Sequence, residues 1–100
     1  MFLNNKQKNL INKGINIYNK YLDTKAKLGI IQKISDISLD IHFNELEIKL
    51  LKYIISNLLH EADKSIFELV RRGGKSLVLP ALKQDKEDLE DLLVKILVKV

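Results

Sequence analysis

The chain is predicted to be mainly α, a four-helix bundle-like single domain (residues 1–100) built around a long central helix. Three observations predict it. Apolar residues recur at helical spacing over three long segments, one of them opens with a capping box, and at 100 residues the chain has room for one core. An α+β arrangement with short strands near residues 36–43 and 76–79 is the alternative, because both segments also alternate or cluster apolar residues as strands do.

The first helix is expected from about Asn5 to Leu22. Ile11, Ile15, Tyr18 and Leu22 fall on one line with Leu10, Ile17 and Tyr21 beside it, and the other face is lysine and asparagine. The segment from Thr24 to His42 reads two ways. Ile30, Ile34, Ile37 and Ile41 form a helical stripe, yet Ile37, Leu39, Ile41 and Phe43 alternate with Ser38, Asp40 and His42.

The central helix is expected over 44–72. Asn44 can cap it, Glu47 stands at its third position, and Phe43 and Ile48 flank them as a hydrophobic staple. Leu51, Ile54, Ile55, Leu58, Leu59, Ala62, Ile66, Leu69 and Val70 form one apolar face, and Leu46, Leu50, Tyr53 and Phe67 a second. A helix apolar on two faces is expected to be surrounded. A kink near Asp63 is compatible with the pattern. The last helix is expected to open near Asp85, with Asp and Glu in its first turn, where the helix dipole favours them. Val94, Ile96, Val98 and Val100 offer a third strand in the α+β alternative.

Residues 69–80 read LVRRGGKSLVLP, and GGKS ends as a phosphate-binding loop ends. A P-loop needs a further glycine five residues before Gly74, where Leu69 stands, and it must follow a strand and open a helix. Here the glycines follow a helix, whose C-terminal dipole end repels phosphate and suits Arg71, Arg72 and Lys75. Gly73 is therefore expected to end the central helix in the left-handed conformation.

His60-Glu61-Ala62-Asp63-Lys64 approaches the zinc-protease pattern, but Lys64 replaces the second histidine, so no metal site is expected. Nothing places Ser35, Ser38, Ser56, Ser65 or Ser76 beside a histidine base. With no cysteine, few aromatic residues and no glycine-rich turn before a helix, neither catalysis nor a cofactor is expected.

The net charge of +4 is distributed in blocks. Residues 1–35 carry seven lysines against Asp23, 36–63 carry six carboxylates against Lys49 and Lys52, 64–83 are again basic, and the C-terminal segment is acidic. Opposite blocks can pair when helices pack, leaving a modest basic excess. Candidate partner-binding residues are Lys6, Lys13 and Lys20 on the first helix and Arg71, Arg72 and Lys75 at the GGKS corner. An ordinary solvated surface is the alternative for both. No secretory signal follows Met1, no apolar run approaches the length of a membrane span, and the absence of cysteine fits a reducing compartment, so a cytoplasmic location is expected.

In size, charge and helix count the chain resembles bacteriocin immunity proteins and small phage- or plasmid-encoded inhibitors. That resemblance implies a non-enzymatic, regulatory protein that binds and modulates another protein; it assigns no particular residue. Residues 39–54, a potential strand leading into a capped helix, resemble the opening of winged-helix domains and imply nucleic-acid binding as the alternative, with Ser65–Arg72 as a second helix. The third helix should then be basic, whereas Asp85-Lys86-Glu87-Asp88-Leu89-Glu90-Asp91 is acidic. Self-association as a homodimer is compatible with either function.

Overall fold

The structure, a computed structural model, describes residues 2–36, 40–73 and 77–98. Among them are four α-helices and no strand: α1 Asn5–Ile17, α2 Thr24–Ser35, α3 Glu45–Arg71 and α4 Leu79–Val98, with a 3-10 turn at Asn19–Tyr21. The fold is mainly α with a long central helix. No described helix is long and apolar enough to cross a membrane.

α1 stops five residues earlier than the periodicity suggests. Its start is set by a capping box, in which Asn4 Oδ1 accepts the Gln7 amide at 2.8 Å and Gln7 Oε1 accepts the Asn4 amide at 3.2 Å. At Tyr18 the backbone leaves the helix, and the 3-10 turn carries Leu22 into the core. Asp23 then caps α2 by accepting the Ala26 amide at 2.9 Å. A continuous helix to Leu22 would have no room for that reversal.

α2 settles the first half of the ambiguous segment as helix, with Ala26, Ile30 and Ile34 buried at four-residue spacing. Residues 37–39 lie outside the described residues, and Asp40 to Phe43 form no strand, although Ile41 is buried. An extended segment becomes a strand only with a neighbouring strand to receive its hydrogen bonds, and the described residues supply none.

α3 begins as expected. Asn44 Oδ1 accepts the Glu47 amide at 2.8 Å, and Glu47 Oε1 accepts the Asn44 amide at 2.9 Å. The helix continues through Asp63 and Ser65 to Arg71, so Ser65–Arg71 is not a separate helix. Gly73, at φ 112°, ends it with its amide donating to the Val70 carbonyl at 3.1 Å, in agreement with the stop read from the sequence.

α4 opens at Leu79 rather than Asp85. Pro80 fits its first turn because an N–H there needs no helical acceptor. Leu77 and Val78 lie in a turn, so the described part of 76–79 is not a strand; Ser76 lies outside the described residues. The helix persists to Val98. A strand would place Val94, Ile96 and Val98 on one face, but Ile96 is fully buried and the two valines are exposed.

α3 packs against each of the other helices, most extensively α4, while α1 also contacts α2 and α4. The core joins Leu10, Ile11 and Ile15 of α1, Ile30 and Ile34 of α2, Leu51, Ile54, Ile55 and Leu58 of α3, and Leu89, Leu92 and Ile96 of α4. The expectation that α3 is surrounded is corrected here. Its second apolar stripe is largely uncovered: Leu46, Tyr53 and Phe67 are exposed and Leu50 is half-buried against the core, because its neighbours approach from the side of Leu51, Ile55 and Leu58.

Candidate functional site

The candidate cations fall into different surroundings. Lys6 Nζ is 2.9 Å from Asp85 and 3.7 Å from Asp88, so it holds α1 to α4. The Asp85 hydrogen bond raises its pKa above the ordinary lysine value. Lys13 projects from the other end of α1 onto the rim of a groove. Lys20 is exposed in the 3-10 turn, beyond the end of α1, so the three lysines do not form one helical face. Arg71 and Arg72 are exposed at the end of α3, and Lys75 lies outside the described residues.

The groove has a volume of 380 Å³ and lies between α1, α3 and the first half of α4. Leu10 and Ile17 come from α1, Leu58 and Ala62 from α3, and Leu82 and Leu89 from α4. Its rim is polar, with Lys13, Tyr18, Glu61, Ser65 and Asp85. The groove opens where α1, through Leu10, Lys13 and Ile17, flanks the α3–α4 hairpin between Leu58 and Ser65 of α3 and Leu82 and Leu89 of α4. Tyr18 sits at the edge, its ring 5.9 Å from that of Tyr53 in an edge-to-face arrangement at 74°. Burial raises the Tyr18 phenol pKa above its ordinary value, and the Glu61 carboxylate raises it further.

An apolar floor with a charged rim can accept bulky side chains and fix their orientation. The residues of the HEADK stretch take other roles. His60 is exposed, Glu61 faces the groove, and Asp63 accepts from Lys86 at 2.7 Å, tying α3 to α4. No group of three potential metal ligands occurs among the described residues.

Of the sequence-derived candidates, only Lys13 lines this groove. Glu61, Ser65, Leu82 and Asp85 also line it but do not stand out in the sequence, where Asp85 reads as a helix cap and Leu82 as lying before the last helix. The signal available was Pro80, which is a permitted first-turn residue and would have moved the helix start back.

No protein-family model, curated protein or solved structure matches the chain.

Proposed function

We propose that this chain is a small non-enzymatic interaction protein that binds and modulates another protein, with the α1–α3–α4 groove as its contact surface. The observation that carries this reading is the groove's construction: six apolar side chains beneath a rim holding both charge signs. Such a surface suits an apolar side chain or helix ridge of a partner, with Lys13 and Glu61 available to select its flanking charges. Arg71 and Arg72, exposed farther along the α3–α4 hairpin, add a basic edge that favours a carboxylate-bearing neighbour.

The test is photocrosslinking in a lysate of the source organism, with a photoreactive residue replacing Ser65 at the groove rim or Ser35 at the end of α2. The expected result is a discrete protein adduct from position 65, lost when Leu82→Asp is added, and none from position 35. The same protein is titrated with duplex DNA and RNA across a salt series. Tight binding that weakens steeply with salt would replace this reading with the nucleic-acid alternative.

A further inference from the structure

The uncovered face of α3 carries a groove and a projection at opposite ends. Leu46, Leu50 and Tyr53 face Tyr21 and Ala26 across an open groove of 340 Å³ flanked by Asp23 and Lys49. In it Leu46, Tyr53 and Tyr21 are 51%, 43% and 74% exposed. Farther along the helix Phe67 stands 66% exposed, flanked by exposed Glu68 and Arg71.

These features share one line. Positions 46, 50, 53, 57, 60, 64, 67 and 71 alternate steps of four and three, the spacing that keeps a seam along one side of a helix. The line reads Leu, Leu, Tyr, Asn, His, Lys, Phe, Arg, none of them buried, while Leu51, Ile55, Leu58 and Ala62 face the core.

A two-fold interface requires a surface complementary to itself. With a second copy antiparallel along this line and the axis between Leu58 and Leu59, Phe67 meets Leu50, Lys64 meets Tyr53, His60 meets Asn57 and Arg71 meets Leu46. Every layer then occurs twice. The projecting Phe67 enters the other copy's groove, and the Lys64 ammonium meets the Tyr53 ring. Glu68 and Arg71 beside Phe67 arrive near Lys49 and Asp23 beside the groove. A parallel pairing would instead set Lys64 against Lys64 and Arg71 against Arg71.

We propose that this face of α3 is a two-fold surface for a second copy of the chain, with Phe67 of each copy seated among Tyr21, Leu46, Leu50 and Tyr53 of the other. The α1–α3–α4 groove is a separate cavity that meets this face at the Tyr18–Tyr53 ring contact and at Arg71; Phe67 does not line it, so Phe67→Glu tests this inference without altering the contact surface proposed above.

Sedimentation equilibrium of the wild type and Phe67→Glu tests it, with circular dichroism as the check on folding. The expected result is a wild-type dimer whose dissociation constant rises at least about thirtyfold in the variant, the loss typical of a central aromatic anchor, with helicity unchanged. Because the chain has no cysteine, disulfide trapping has no background. Asn57→Cys chains should crosslink under mild oxidation with His60→Cys chains, whose cysteine faces position 57 in the same layer, and should not crosslink with Glu87→Cys chains, whose cysteine is on α4. A monomer at every concentration, a dimer indifferent to Phe67→Glu, or equal crosslinking in both mixtures would each overturn the proposal.

Discussion

Glu47 Oε1 accepts the ammonium of Lys33 from α2 while also accepting the Asn44 amide that begins α3. One buried carboxylate therefore caps a helix and ties it to another. Its second oxygen lies where α2 comes closest: a Cβ on Gly29 would fall 2.2 Å from Glu47 Oε2. Gln7 does the same for α1. It caps that helix, is fully buried, donates to Asp91 at 2.7 Å and accepts from Lys95 at 3.1 Å, both on α4.

Glu47→Ala removes a cap and a charge-assisted hydrogen bond together, and should destabilise the protein by about 2–3 kcal/mol. Lys33→Met should cost at least as much, because it leaves a buried carboxylate without its cation, whereas Glu47→Ala leaves only a partly solvated ammonium unpaired. Urea denaturation checks both, and an unchanged slope would show that the native state remains compact.

Gly14 lies where α1 crosses α3, and a Cβ there would come 2.1 Å from Ile54 Cγ2 and 3.1 Å from Leu58 Cδ1. Alanine is the better helix former by about 1 kcal/mol, but the collision outweighs this. Gly14→Ala should destabilise by about 1–3 kcal/mol, the usual cost of overpacking. In an Ile54→Ala background the penalty should shrink, and a thermal-unfolding double-mutant cycle measures that coupling.

Asp91 has its pKa held below the ordinary carboxylate value by hydrogen bonds from Lys95 and then Gln7. A carboxylate stabilised in the folded state contributes stability above its unfolded pKa, near 3.8, and loses that contribution as pH falls through the lower folded value. Asp91→Asn should therefore have a lower melting temperature than the wild type at neutral pH. The difference should close as pH falls below about 4, as melting curves across that range would record.

Arg71→Glu with Arg72→Glu reverses two exposed charges at the end of α3. Stability should fall by about 0.5–2 kcal/mol, because Arg71 ends α3 and Arg72 is its C-cap, where the helix dipole favours cations and opposes carboxylates. Adduct formation at position 65 should weaken if the basic edge takes part in binding. Chemical denaturation and the crosslinking yield report the two effects separately.

The start of α3 was legible because its signals are local: Asn44, Glu47, Phe43 and Ile48 lie within six residues, and neither cap bond needs a distant partner. Gly73 was legible for the same reason. Asp23 carries an equally local capping signal, obscured because Leu22 continued the apolar line of α1. Leu77-Val78-Leu79 before Pro80 suits a short strand as readily as a helix start, although Pro80 stands in a first-turn position that a helix tolerates.

The groove and the bare face of α3 depend on packing. Ile17 looks like a core residue by spacing, but it is 55% exposed on the wall of the open groove. Leu46, Tyr53 and Phe67 appear surrounded by periodicity and are not.

The sequence by itself determined that this chain is mainly helical and where its central helix begins and ends, because caps and helical periodicity act within a few turns. Only the tertiary structure decided that Glu47 and Gln7 tie helices together and that apolar surface remains open on two sides of α3. Those outcomes depend on where α1, α2 and α4 meet α3 in space, and residues far apart in the chain set those meetings jointly.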